Sequence, residues 1–209
     1  MARPPEILIS KADIQARVAE LAQQVHQDFQ EDIVIKKLVI VPVLEGAATF
    51  ADDLLSELEV LGSDVRRKSI QVGSYGNERE SSRQPKVLTQ FNQAEFKGAH
   101  ALVVEDILET GHTLTEIIRV LTEVAGFTAI TIMVLLAKEG MQEVDVPVEY
   151  VGFRIGQEWV WGYGIDDQHY GRNKRISGTS RKMTSLRDSL TILSSITISL
   201  AHGYATRFA

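Results

Sequence analysis

Three uninterrupted apolar runs set the terms for this chain: "KLVIVPVL" at 37–44, "AHALVVE" at 99–105 and "TAITIMVLLAK" at 128–138. None alternates apolar with polar residues, so each must be covered on both faces, as strands of a parallel sheet are. Val and Ile dominate them, which suits a pleated surface better than a helix. Segments of helical period separate the runs. Ser10 and Asp13 nearly match a capping box, and Ile14, Val18, Leu21, Val25 and Phe29 then recur at helical spacing to about Gln30. "AATFADDLLSELEVL" (47–61) and "LTEIIRVLTEVAG" (114–126) read as further helices, with Gly126 as a C-cap. Weaker strand patterns cover 68–75, 87–91, 148–155 and 158–165. Strands alternating with helices predict an α/β fold around a mostly parallel sheet.

The 209 residues suit one sizeable domain. A net charge of −6 gives no global pull towards nucleic acid or an anionic membrane. The absence of cysteine excludes disulfides and cysteine-ligated metals and fits a reducing compartment. "MARPPEILIS" lacks the apolar core of a signal peptide, and "ITIMVLLA" is too short to span a bilayer. The expectation is a soluble, cytoplasmic protein with neither membrane nor nucleic acid as partner. From residue 172 the chain turns basic, and "LTILSSITISLAHGYATRFA" fits neither helix nor strand period, so the tail is left unassigned.

The chemistry concentrates in "ALVVEDILETGHTL" at 101–114. In parallel sheets ligands gather at the carboxyl ends of strands, where Glu105 and Asp106 are expected to fall. Gly111 permits a tight turn, and Thr110 and Thr113 put hydroxyls beside the unpaired N–H groups of a helix start, which suit a phosphate. Carboxylates suit sugar hydroxyls and Mg²⁺ instead. A ligand with both a phosphate and a diol, such as a ribose 5-phosphate, satisfies both sets. On residue types alone, a surface acidic pair beside an ordinary helix cap fits the stretch about as well.

The stretch resembles the ribose-phosphate signature of the type I phosphoribosyltransferases. "VPVLEGAATFADDL" is similar to the pyrophosphate loop and following helix of their hypoxanthine-guanine branch, "SYGNERESSR" to its catalytic loop, and "VGFRIGQEWVWGYGIDDQHYGR" to its purine-binding end. Four matches in one order, from about residue 6 to 175, are far more specific than any one. The resemblance implies a mostly parallel sheet flanked by helices, with a small hood built from both chain ends. It implies a domain over 1–175, with its core at about 37–140, its hood from 1–36 and 141–175, and a loop at about 74–90 that closes over the site. Residues 176–209 lie beyond it.

The same resemblance implies transfer of a phosphoribosyl group from phosphoribosyl pyrophosphate to hypoxanthine or guanine, with Mg²⁺, by a homodimer or homotetramer. Glu105 and Asp106 would hold the ribose hydroxyls and, with Asp166, the metal. Thr110, Gly111, His112 and Thr113 would bind the 5-phosphate, and Leu44, Glu45, Gly46 and Arg172 the pyrophosphate. Glu109 would exchange a proton with the purine. Lys138 would read the 6-oxo group, Trp159 would stack on the base, and Val160 would read its edge. Ser74 and Tyr75 match the pair in the closing loop.

Two residues depart from the family pattern. Glu45 stands where Lys or Arg is usual, which predicts weakened affinity for phosphoribosyl pyrophosphate, and Glu109 stands where Asp is usual. A nucleotide-binding regulator on the same fold is therefore the alternative reading. A phospho-acceptor signalling domain is excluded by order, since its acidic pair would follow the first strand.

Overall fold

The computed structural model describes residues 6–31, 37–75, 84–165 and 177–178. Strand β1 (Glu6–Ile7) leads into helix α1 (Lys11–Glu31), whose start is fixed by Ser10. The Ser10 hydroxyl accepts the Asp13 N–H at 3.1 Å and donates to the Asp13 carboxylate at 2.6 Å. The predicted stripe Ile14, Val18, Leu21 and Val25 is buried.

Next come β2 (Leu38–Leu44), α2 (Ala48–Val60), β3 (Val65–Arg67), β4 (Ile70–Tyr75), β5 (Gln84–Val87) and the short α3 (Gln93–Phe96). Then follow β6 (His100–Leu108), α4 (His112–Val120), a π turn (Leu121–Ala125), β7 (Ala129–Lys138) and β8 (Tyr150–Ile155). The last described strands are β9 (Val160–Trp161) and β10 (Ser177–Gly178).

The main sheet has the order β5-β4-β2-β6-β7-β8, with β3 paired to β2. All of its pairings are parallel except β4 with β5. Successive residues of the buried strands serve opposite faces. Leu38, Ile40, Leu102, Val104, Met133 and Leu135 pack with α1 and α2, whereas Val39, Val41, Ala101, Val103, Ile132 and Val134 pack with α3 and α4. That division explains why the three runs show no alternation: both faces are core. A second, antiparallel sheet of order β1-β10-β9 brings Glu6–Ile7 together with Val160–Trp161 and Ser177–Gly178. No helix among the described residues is long and apolar enough to cross a membrane.

Four sequence expectations need correction. The strand expected at 87–91 lies instead at 84–87, after which the Leu88 N–H bonds Gln71 O and the Thr89 hydroxyl accepts the Gln71 N–H. Pro85 is tolerated there because β5 is an edge strand. The strand expected at 158–165 shrinks to two residues, since Gly162, Tyr163 and Gly164 all take positive φ. Helix α4 starts two residues before the expected 114 and ends in the π turn, with Gly126 as its left-handed cap. The run expected to stop at Glu105 continues as strand to Leu108.

Residues 74–75 and 84–87, part of the expected closing loop, are strand. Tyr150–Ile155, expected in the hood, completes the main sheet, and Ser177–Gly178, beyond residue 175, joins the second sheet. Residues 179–209 lie outside the described residues.

Candidate active site

From β2 the chain builds outward to β3 and β4, then returns to the opposite side for β6, β7 and β8. The connections leaving the carboxyl ends of β2 and β6 therefore diverge, to α2 on one face and α4 on the other, and such a switch point is where open α/β sheets bind ligands. A cavity of about 430 Å³ opens there. Leu44 and Gly46 line it from the β2–α2 loop, and Glu105, Asp106, Glu109, Thr110, Gly111 and Thr113 from the β6–α4 side.

Strand β6 outlasts its neighbour. Its pairing with β2 ends at Pro42–Val104, while its pairing with β7 runs on to Leu108–Ala137. Glu105 and Asp106 occupy the first positions past β2 and are only 7% and 9% exposed. Their carboxylates satisfy local backbone: Glu105 Oε1 accepts the Asp106 N–H at 3.3 Å, and Asp106 Oδ1 accepts the Ile107 N–H at 2.9 Å. The ladder lapses in the same place, since the pairing skips Asp106–Leu135 and Leu135–Gly152. Burial first, and then the charge of Asp106, hold the Glu105 carboxyl well above the ordinary carboxylate range.

Across the cavity, Gly46 makes room for the pair. A methyl group on its Cα would lie 2.0 Å from Asp106 Oδ2, so only glycine lets this backbone approach the carboxylate. The Leu44–Glu45 peptide is cis, and Glu45 is exposed.

The loop after β6 is held by a segment that the sequence did not single out. The N–H groups of Glu143 and Val144 both bond Thr110 O, at 3.0 and 3.1 Å. Gly111 takes φ +89°, and a methyl group there would meet Val144 O at 2.8 Å. Val146 is buried behind the loop, and the Glu143 carboxylate meets His112 Nε2 at 2.9 Å. The left-handed Gly111 thus turns the chain into α4, with Thr110 and Thr113 on the cavity.

Lys138 ends β7 with its side chain buried and forms an ion pair with Glu109. The 29-residue offset between β6 and β7 brings these two strand ends together.

Residues 9–168 match the phosphoribosyl transferase domain family. The chain is 38% identical over 168 residues to the hypoxanthine phosphoribosyltransferase of Haemophilus influenzae, covering 80% of this chain and 90% of that protein. It is 32% identical over 161 residues to the hypoxanthine-guanine phosphoribosyltransferase of Dictyostelium discoideum, covering 77% and 87%. The chain belongs to the phosphoribosyltransferase family. A crystal structure of a hypoxanthine phosphoribosyltransferase from Staphylococcus aureus superposes with a TM-score of 0.72 at 32% identity, covering 84% of this chain and 91% of that one.

Not every residue expected from the phosphoribosyltransferase pattern reaches the cavity. Leu44, Gly46, Glu105, Asp106, Glu109, Thr110, Gly111 and Thr113 line it, and Lys138 joins them through Glu109. His112 turns to Glu143 and Glu45 stays at the exposed loop tip, so neither side chain is in the lining. Trp159 is 67% exposed and Val160 is buried in the core, both outside the lining. Ser74 and Tyr75 end β4, whose Val72 and Gly73 line the cavity. Asp166 and Arg172 lie outside the described residues.

Two phosphoribosyltransferase features escaped the sequence reading. The clamp at 143–146 sits in "MQEVDVPV", a turn-like stretch whose only hint is the spacing of Val144 and Val146. The other is Tyr163, at φ +54°, whose hydroxyl donates to Asp53 Oδ2 at 2.5 Å.

Proposed function

We infer that this phosphoribosyltransferase moves the 5-phosphoribosyl group of phosphoribosyl pyrophosphate onto a 6-oxopurine, hypoxanthine or guanine, releasing pyrophosphate and giving IMP or GMP. The observation that carries the reading is the shared cavity: a buried carboxylate pair, a left-handed glycine turn at a helix N-terminus and Gly46 all face it.

Glu105 and Asp106 accept hydrogen bonds from the ribose 2- and 3-hydroxyls, whereas their like charge would repel a phosphate. The Thr110–Thr113 loop binds the 5-phosphate with its N–H groups and hydroxyls at the positive end of α4. Leu44, Glu45, Gly46 and Arg172 take the pyrophosphate, Gly46 through its backbone. Lys138 donates to the purine 6-oxo group. Adenine presents an amino group there, which cannot accept from an ammonium, so the site rejects it. Glu109, beside Lys138, takes or returns the proton at purine N7 as the new bond forms. Trp159 supplies an exposed aromatic face for the base, and Val160 its backbone. Ser74 and Tyr75 belong to the segment that closes over the bound substrate and keeps water from the oxocarbenium-like centre.

The residues present fit Mg²⁺. Two carboxylates are buried together, and among the described residues neither has a cationic partner. No group of three or more metal-ligating side chains occurs among them, which suits an ion that keeps waters and substrate oxygens as its other ligands. Glu105, Asp106 and Asp166 would hold it, and when bound it offsets charge on the leaving pyrophosphate. The reading also takes the protein to be cytoplasmic, in line with the lack of cysteine, and a homodimer or homotetramer, in line with the family resemblance.

The deciding assay supplies Mg²⁺, phosphoribosyl pyrophosphate and, in turn, hypoxanthine, guanine, xanthine or adenine, and follows pyrophosphate release. Release with hypoxanthine and guanine but not adenine is expected. Silence with all four, together with tight nucleotide binding, would replace the enzyme by a nucleotide-binding regulator.

A further inference from the structure

We propose that Tyr163 is a positioning residue for the pyrophosphate loop, acting through its hydrogen bond to Asp53 and through the backbone of Gly164. Gly162 and Ile165 exchange backbone bonds of 3.0 and 3.1 Å, closing a turn directly after β9. Three successive residues inside it take positive φ: Gly162 at 103°, Tyr163 at 54° and Gly164 at 99°. The glycines adopt this freely, whereas a side-chain-bearing residue does not. Something must hold Tyr163 there, and its hydroxyl donates a hydrogen bond to Asp53. Burial, followed by the bond to Asp53, raises the phenol's pKa, so the hydroxyl stays protonated and donates.

Asp53 lies in the second turn of α2, the helix that leaves the pyrophosphate loop. Its neighbour Asp52 is engaged elsewhere, with Arg67, so the two adjacent acids have separate tasks. The pinned turn presses its backbone on the loop: a methyl group at Gly164 would sit 2.3 Å from Gly46 O. The Cα of Gly46 in turn approaches Asp106, since a methyl group on it would lie 2.0 Å from Oδ2. The peptide expected to meet pyrophosphate is thus in close contact with both the 162–165 turn and the carboxylate of Asp106. Removing the Tyr163–Asp53 bond frees the turn from the helix and widens the range of Gly46 positions, which lowers the fraction ready for the ligand.

The proposal rests on the loop binding pyrophosphate, as in the function inferred above, and its test separates the two. Wild-type turnover with hypoxanthine reports on the function. Calorimetric binding of phosphoribosyl pyrophosphate with Mg²⁺, without purine, reports on the loop even where turnover is absent. Tyr163→Phe, which removes one oxygen, should weaken that binding and raise KM for phosphoribosyl pyrophosphate by about three- to tenfold, the scale of one lost hydrogen bond. KM for hypoxanthine should stay within about twofold, because Lys138 and Trp159 are untouched. Asp53→Asn keeps an acceptor for the phenol and should restore near-normal binding, while Asp53→Ala should copy Tyr163→Phe. The double variant Asp53→Ala/Tyr163→Phe should be no worse than either single one, as partners in one contact behave. Unchanged phosphoribosyl pyrophosphate binding in folded Tyr163→Phe, equal losses for both substrates, or additive effects in the double variant would each overturn the proposal.

Discussion

Lys138 and Glu109 are ion-paired across neighbouring strand ends, the lysine buried and the glutamate half exposed. A buried ammonium needs such a partner, since leaving it unpaired is costly. The same contact joins the residue proposed to read the purine oxygen to the residue proposed to move its proton.

Glu109→Gln should therefore lower kcat by about 10²-fold, the lower end of acid–base contributions, with KM for hypoxanthine changed much less. Steady-state kinetics at saturating phosphoribosyl pyrophosphate provide the check. An unchanged kcat would remove Glu109 from the chemistry and leave it as the counter-ion of Lys138.

Glu45→Lys should lower KM for phosphoribosyl pyrophosphate. The side chain is exposed, so reversing its sign beside a pyrophosphate should gain about 1 kcal/mol, or about fivefold, and less at high salt. Comparing KM in the two proteins at two salt concentrations tests both the sign and the screening.

Gly46→Ala should cost far more. Its methyl group would have to displace Asp106 or the loop backbone, and an error of about 1 Å in such a site can cost about 10²-fold in rate. The loss should show in kcat/KM for phosphoribosyl pyrophosphate, with thermal stability falling much less.

The parts of this site that the sequence made legible are those written in contiguous residues. The three apolar runs announced their strands because both faces are core, and Lys138 stood out as the charge ending one of them. The acidic pair misled for a physical reason: two carboxylates argue against strand propensity, yet the pairing with β7 resumes at Ile107–Leu136 and Leu108–Ala137 and keeps them inside β6. The Lys138–Glu109 pair follows from the register of β6 on β7, which no local pattern encodes. The clamp at 143–146 and the turn at 162–165 act through backbone contacts between distant loops, so their residue types carry almost no signal.

Glu105→Gln should stabilise the ligand-free protein at neutral pH. A carboxyl with a raised pKa binds its proton more tightly when folded than when unfolded. Its contribution is therefore favourable below the ordinary value of 4.5 and is lost as pH rises through the raised value. The variant's melting temperature should exceed the wild type's at pH 7 to 8, by about 2–4 °C for each kcal/mol relieved, and the gap should close as pH falls towards 4.5. Thermal melts across that range, without substrate or metal, are the measurement. A gap that widens on acidification would contradict the assignment.

Strand β6 running past its neighbour means that the carboxylates proposed for the ribose ride on the sheet, and the groups proposed for the 5-phosphate ride on the turn and first residues of α4. Spacing between Glu105 and Lys138 is consequently a dimension of the β6–β7 ladder, as fixed as the rungs themselves. The sheet serves as the ruler of this enzyme, and adaptation to a differently shaped base would have to be written at its rim, in side-chain length at 109 or in the turn after β9.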